Sequence, residues 1–469
     1  MKSSSRWILP SVLVLLTLAA CRQAGDTDKG GSAGVATAVA DGPAWARDAN
    51  IYEVNIRQFT PEGTFAAFEQ HLPRLKKMGV DILWFMPVFP ISEARRKGAL
   101  GSYYAVADYT GINPNFGTME EFKMLVHRIH DMGMRVVLDW VPNHTGWDHP
   151  WIEEHPEWYT RDGQGNITDP VNPETGESFG WTDVADLDYS QPGLRRAMTE
   201  AMLFWLEEID VDGFRCDVAG EVPIDFWEAC IPRLRQTEPE LFMLAEAEQP
   251  EHRNRGLFTM SYAWSFHHLM NAIAAGKEPA SAIGAWLEKD RALFRRGYHM
   301  QFITNHDENS WSGTVEERLG NAADAMAVLS FTIDGMPLIY SGQEAWLDKR
   351  LQFFEKDSID WGGYSKQPFY QTLLELKHRN QALWNGSYGG EAVPILTGNE
   401  ADIFAFYRER QGDKVLVVLN LSDDLQDIVL KSDACVGEYT NVFANSTITV
   451  SKDMTLRLRP WDYVVWSNR

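Results

Sequence analysis

From about residue 49 to residue 340 the chain alternates between two textures. Short runs of Val, Ile, Leu and Phe bounded by polar residues read as buried strands. They cover Ile51 to Asn55, Ile82 to Met86, Arg135 to Asp139, Gly213 to Asp217 and Phe242 to Glu246. Between them, apolar residues return at helical spacing. Phe65, Phe68, Leu72, Leu75 and Met78 predict one helix ending at Gly79, and Phe122 to Met132 a second, capped by Gly133. Leu194 to Ile209 and Pro223 to Thr237 predict two more. The stretch near Tyr262 reads as a sixth strand, Met300 to Asn305 as a seventh and Pro337 to Tyr340 as an eighth. Repeated βα units of this kind build a parallel sheet with right-handed crossovers.

The rhythm breaks once and then ends. Residues 143–184 are rich in Trp, Pro, Gly, Asp and Asn and show no clear helix. An insertion of that length in a compact domain is usually functional. It leaves from the carboxyl end of the third strand, which places it over the strand ends. From about residue 388 the texture changes to alternating runs: 403–407, 415–419, 447–450, 456–458 and 463–466. Turn residues separate them, which predicts a small antiparallel β domain.

Four of the apolar runs end in acid, amide or imidazole side chains: at Asp139, at Asp217, at Glu246 and at Asn305-His306-Asp307. In a (β/α)8 barrel the carboxyl ends of the strands form the floor of the active site. A structural strand gains nothing from a carboxylate at its end, and burying one is costly. Arg215 and Asp217 are two apart on one strand, so they share a face, and the Arg charge favours an ionised Asp217. Cys216 points the other way. Glu246 ends an apolar run, which would raise its pKa and suit a proton donor. Two carboxyls whose environments push their protonation apart form the pair that glycoside hydrolysis needs.

In these motifs the chain resembles glycoside hydrolase family 13, the alpha-amylase family. They are Asp139-Trp140-Val141-Pro142-Asn143-His144, Gly213 to Asp217, Ala245-Glu246 and Asn305-His306-Asp307. Flanking segments agree: Gly101 to Tyr104, Asp108-Tyr109, Asn113 to Gly117 and Ile339 to Glu344. The resemblance runs over nearly the whole chain after the N-terminal segment. It implies a (β/α)8 TIM barrel with a domain B inserted after strand three and a C-terminal antiparallel β domain. The expected boundaries are 43–387 for the barrel, with domain B at about 143–184, and 388–469 for a C-terminal β-sandwich. It also implies roles. Asp217 would be the nucleophile, Glu246 the acid and base, and Asp307 a binder of sugar hydroxyls that stabilises the transition state. Arg215 would position Asp217, while His144 and His306 would bond the sugar and Tyr104 stack beneath it. Asp139 would support the site. Glu248, two residues past Glu246, is the alternative acid.

The same resemblance implies bound Ca²⁺ between domain B and the barrel, held by Asn143, Asp186 and the backbone carbonyl of Glu221. Oxygen ligands of that kind suit the ion. Gly220-Glu221 stands where many alpha-amylases have Lys-His, on the leaving side of the cleavage point. Of Trp147, Trp151, Trp158 and Trp181 in the insertion, one or two are expected to face substrate. His149, His155 and His267-His268 have no metal-ligand spacing and are expected to be structural or solvated.

Composition narrows the partners. The formal net charge is −23, which repels phosphate backbones and argues against nucleic acid. The partner implied is a neutral α-glucan. Met1 to Arg6 is basic and Trp7 to Ala20 apolar, a secretory signal too short to span a membrane. Its end, Leu18-Ala19-Ala20-Cys21, resembles the lipobox of bacterial lipoproteins; an ordinary cleaved signal with an incidental Cys is the alternative. The expectation is a signal over 1–20, a lipid anchor on Cys21, a flexible tether over 21–42 and, with Arg22 rather than Asp next, the outer membrane. Cys216, Cys230 and Cys435 remain, with no CxxC spacing; Cys216 and Cys230 are either a disulfide or two buried thiols. The activity expected is retaining hydrolysis of α-1,4-glucosidic bonds in starch, glycogen or maltodextrins. The alternatives are a cyclomaltodextrinase, a neopullulanase-like enzyme or an α-glucanotransferase on the same triad, or a non-catalytic glycan-binding homologue. Nothing in the sequence sets an oligomeric state.

Overall fold

The computed structural model describes residues 42–172 and 175–469. The signal, Cys21 and the tether up to residue 41 lie outside them. Eight parallel strands close into a barrel: β1 Ile51–Val54, β2 Ile82–Phe85, β3 Arg135–Trp140, β4 Gly213–Cys216, β5 Phe242–Ala245, β6 Met260–Tyr262, β7 Tyr298–Gln301 and β8 Met336–Tyr340. Each pairs with its neighbours in sequence, and β8 closes onto β1.

Alternation along the strands puts one set of side chains inside the barrel. Ile51, Ile82, Trp84, Val137, Phe242, Leu244, Met260, Tyr262, Met300 and Leu338 belong to one buried cluster. The opposite faces join the larger core beneath the helices. At Gly213 the two strands approach so closely that a Cβ would lie 2.0 Å from the Phe242 carbonyl oxygen. Only glycine fits there.

Two expectations are corrected. The first helical run is two helices, Phe65–Glu69 and Leu72–Met78. Pro73 has no N–H to donate and is tolerated only in a first turn, so the helix restarts before it. The seventh strand is Tyr298–Gln301, earlier than Met300 to Asn305. Tyr298 and Met300 face the barrel interior. Polar His299 concealed the strand in the sequence; it faces outward onto Asp290 at 2.7 Å. The sixth strand lies at Tyr262, where the sequence placed it. Residues 302–307 then leave the barrel rim and carry Asn305-His306-Asp307 across the top.

The insertion after β3 is built on a two-stranded antiparallel sheet, His144–Gly146 against Val184–Asp186. It also holds a short helix, Trp151–Glu154, and a 3₁₀ turn, Pro156–Trp158. The C-terminal region has a six-stranded antiparallel sheet and a separate two-stranded one. The sequence pattern missed three of these strands, Val393–Ile395, Gln426–Val429 and Gly437–Asn441. Cys216, Cys230 and Cys435 are buried free thiols, so the Cys216–Cys230 disulfide does not form. No described helix is long and apolar enough to cross a membrane.

Arg408, 2% exposed, ties the C-terminal sheet to the barrel. Its guanidinium donates to the carbonyls of Ile333 at 2.8 Å, Trp384 at 3.0 Å and Gly390 at 2.6 Å. Arg408→Ala leaves those buried acceptors without donors. The expected cost is about 3 kcal/mol, measured as a lower denaturant midpoint; an unchanged midpoint would show that the anchor is dispensable.

Candidate active site

The carboxyl ends of the strands deliver their acids to one place. Arg215 on β4 is fully buried and lies level with Asp139 on β3, its register partner. Its Nη1 donates to Asp139 Oδ1 at 3.0 Å and to Asp217 Oδ1 at 2.8 Å. Its Nη2 lies 2.8 Å from Glu246 Oε2, an ion pair by distance. That N–H is not aligned for a hydrogen bond, and Nη2 has no hydrogen-bonding partner. Its Nε donates to the Tyr262 hydroxyl. One guanidinium thus serves three carboxyls.

This changes the expected electrostatics. From the sequence alone, the Arg215 charge favours an ionised Asp217. Shared three ways, it opposes the effect of burial without cancelling it, and Asp139, Asp217 and Glu246 are all raised above ordinary carboxyl values. Burial is the main cause in each case. Glu246 goes to about 7, with Asp217 and Asp307 adding like charge. Glu246 Oε2 also accepts the backbone N–H of Val218 at 2.8 Å. Val218 has φ +36, strained for a β-branched residue. The Val218 N–H and the Arg215 charge both lie at Oε2, which leaves Oε1 for the cleft.

Above this layer the cleft holds about 670 Å³ and is lined by Tyr104, His144, Asp217, Glu246, His306 and Asp307. All six were singled out in the sequence. The Tyr104 hydroxyl donates to Asp139 Oδ2 at 3.1 Å, and its ring stacks on His306, centroids 5.5 Å apart. The two histidines differ in charge. Burial lowers His144 to about 3, so it is neutral. Burial also disfavours the charge on His306, but Asp307 and Glu53 overcome it and raise it to about 9. Glu53, at register with Trp84 inside the barrel, was not picked out in the sequence. Its only signal was an acid inside the apolar run of β1.

Aromatic walls flank the acids. Trp181 stacks on Phe179, and Trp264, Trp311 and Phe353 also line the cleft. Trp311 is 55% exposed at the rim. Of the four tryptophans named in the insertion, only Trp181 faces the cleft. Trp158 stacks on His155, Trp147 meets the Arg95 guanidinium, and Trp151 packs on Tyr109. Glu248 accepts from the Ser265 N–H and hydroxyl at the start of the helix Trp264–Ala274. His267 bonds Glu308 and the Phe302 carbonyl.

Asn143 and Asp186 meet through the small sheet: His144 pairs with Asp186, and the Leu187 N–H donates to the Asn143 carbonyl. Asp186 is raised to about 6, chiefly by burial, with Asp188, Asp169 and Glu221 adding like charge. Oxygen donors carrying that much negative charge fit a hard cation such as Ca²⁺. Among the described residues no group of three or more His, Cys, Asp or Glu side chains could hold a metal ion. The fit therefore depends on amide and backbone oxygens as well.

The pattern of the family described as "Alpha amylase, catalytic domain" matches residues 25–360, more than half of the chain. The chain belongs to the alpha-amylase family. A second pattern, the "Alpha-amylase SusG C-terminal domain", matches residues 403–465. The chain is 28% identical to the alpha-amylase MalA of Haloarcula japonica over 88% of its length. It spans 62% of MalA's own length. It is 26% identical to a cyclomaltodextrinase of a Bacillus species over 81% of its length and 73% of that protein. Among solved structures, a maltogenic alpha-amylase AmyB from Thermotoga neapolitana superposes with a TM-score of 0.80 at 29% identity, covering 90% of this chain and 98% of that one.

Arg215→Met keeps the volume and removes the cation. The three carboxyls must then be held protonated in the folded state, so their folded pKa values rise further above the unfolded ones. A raised acid binds its proton more tightly when folded, so stability falls as pH rises. The expected loss is about 3–5 kcal/mol, larger at pH 8 than at pH 5 in thermal unfolding. An equal loss at both values would mean that the guanidinium acts by packing alone.

Proposed function

We propose that the protein is a retaining glycoside hydrolase that cleaves α-1,4-glucosidic bonds in starch, glycogen or maltodextrins. The observation that carries this is the shared guanidinium: Asp217 and Glu246 face one cleft from adjacent strands, each with one oxygen held by Arg215. A retaining mechanism needs its two carboxyls about 5–5.5 Å apart. Asp217 Oδ1 takes the Arg215 N–H, so Oδ2 attacks the anomeric carbon. Glu246 carries its proton on Oε1, gives it to the leaving glycosidic oxygen, and then takes a proton from the water that releases the sugar. Asp307 holds sugar hydroxyls and stabilises positive charge at the ring. Asp139 supports the site through Arg215, Trp84 and Tyr104. His144, as a neutral imidazole, and His306, as a cation, bond the sugar, and the Tyr104 ring lies against it.

Ca²⁺ would be held by Asn143, Asp186 and the Glu221 carbonyl, where it would offset the negative charge gathered around Asp186. No step of the reaction passes through it. The N-terminal segment supports export and anchoring through Cys21 at the outer membrane.

A second reading is favoured by one feature. Gly220 and Glu221 line a pocket together with Glu246, Glu248 and Gln249. Gly220 lies against the Gln249 side chain. That open leaving side would admit a sugar acceptor in place of water, as transfer requires.

A time course of products from amylose, pullulan and cyclodextrin separates the readings. Reducing ends rising on amylose, with no product longer than the starting oligosaccharide, is the expected result. Longer products would establish transfer, and no cleavage of any α-glucan would refute both. The pH profile carries a sign as well. Glu246 must be protonated, so kcat/KM should fall above about pH 7. Asp217 must be ionised and is itself raised, so the acid limb lies above the ordinary carboxylate range. A profile flat from pH 6 to about 9 would contradict the assignment. Added Ca²⁺ should raise the thermal midpoint of the wild type and leave Asp186→Ala unmoved. A midpoint insensitive to Ca²⁺ and to chelator in the wild type would remove the metal from the account.

A further inference from the structure

Glu53 is a fully buried acid on β1 that the mechanism above leaves without a task. Its Oε1 lies 2.5 Å from His306 Nδ1, and its Oε2 has no hydrogen-bond partner. A buried carboxylate with one oxygen unpaired is costly. Burial, with Asp307 adding like charge, raises its pKa, and His306 and Arg215 act against that without cancelling it.

The contacts around His306 favour a proton on each ring nitrogen. Asp139 accepts at both oxygens: Oδ1 from Arg215, and Oδ2 from Trp84 Nε1 and the Tyr104 hydroxyl. Tyr104 has one proton, which can go to Asp139 Oδ2 at 3.1 Å or to His306 Nε2 at 2.8 Å. With that proton on Asp139, Nε2 is left to donate to the Tyr104 oxygen. On the other side Nδ1 faces Glu53 Oε1 and donates to it when Glu53 is ionised. A ring that donates at both nitrogens is an imidazolium.

We infer that Glu53 is a positioning residue: from beneath the cleft it keeps His306 doubly protonated, so that the ring meets the bound sugar between Tyr104 and Asp307 as a cation. The neighbouring groups are consistent with this. Asp307 Oδ2 lies 3.3 Å from Nε2 and favours the charge. Arg215 on β4 opposes it. Trp84 on β2 meets the imidazole edge to face at 6.0 Å and adds no charge. Tyr340 on β8, beside Glu53, and Tyr262 on β6 stay neutral, because burial raises both well above ordinary phenol values. Without Glu53 the ring would be free to keep its proton on Nδ1 alone. Nε2 would then accept from Tyr104, and Tyr104 would release Asp139.

The inference rests on the proposed sugar-binding role of the cleft, but its first test needs no substrate. Histidine-selective NMR of the whole protein should show His306 titrating near 9 in the wild type. In Glu53→Gln, which keeps the shape and an acceptor for Nδ1–H, the midpoint should fall to about 6.5 or lower. The kcat/KM of Glu53→Gln on maltooligosaccharides should drop about tenfold at pH 7.5 and less than about threefold at pH 5.5, where the imidazolium returns. In a His306→Gln background the same substitution should cost almost nothing further. A wild-type midpoint at or below about 6.5 overturns the inference even if Glu53→Gln does not fold. So does a rate loss equal at both pH values, or losses that add in the double variant. A protein inactive on every α-glucan would refute the proposed function and leave the His306 titration as a separate result.

Discussion

The Arg215 guanidinium is buried among Asp139, Asp217 and Glu246 and reaches all three, and the site depends on it. Three carboxyls cannot be desolvated together without a counter-charge, and a single fixed guanidinium supplies it from the middle. Its position follows from the barrel. Arg215 points inward because Gly213, two residues earlier, lets β4 lie against β5, and because the register sets it opposite Asp139. Strand register, an elementary property of the backbone, therefore sets the geometry of the cleft floor.

Sharing the cation has a chemical consequence. Each carboxyl receives less than a full counter-charge, so each is easier to protonate than an isolated Arg–Asp pair would allow. Glu246 is affected most usefully, because Val218 and Arg215 both address Oε2 and leave Oε1 to hold a proton. The strained backbone at Val218 aims that N–H. Strain at such a point is consistent with a site fixed in place before substrate arrives. The two histidines extend the pattern, one kept neutral by burial and the other kept charged by two acids. Groups of one kind are given opposite states by their surroundings.

Much of this was legible in the chain. Strand existence followed from apolar runs, and the acids at their ends followed from the rule that barrel sites lie at carboxyl ends. What was not legible depends on contacts between distant segments. Glu53 is 253 residues from the histidine it serves, and nothing local marks it. The sharing of Arg215 could not be read from the two-residue spacing, which shows only that Arg215 and Asp217 share a face. β7 slipped because His299 and Gln301 turn outward to polar partners and so break the apolar run. The insertion gave no helical pattern because its fold rests on a small sheet closed across some forty residues, and of its tryptophans only Trp181 was carried to the cleft.

Family membership leaves the reaction's outcome open, since relatives of similar identity include an alpha-amylase and a cyclomaltodextrinase. What they would share is the covalent step at the acid held by Arg215. The most direct measurement is mass spectrometry of Glu246→Gln after incubation with an α-maltosyl fluoride. Fluoride leaves without help from an acid, whereas release of the sugar needs a base, so the glycosyl-enzyme should accumulate. The account predicts a mass gain of one maltosyl group on the peptide containing Asp217. Fluoride release with no adduct, or an adduct on any other carboxylate, would contradict it.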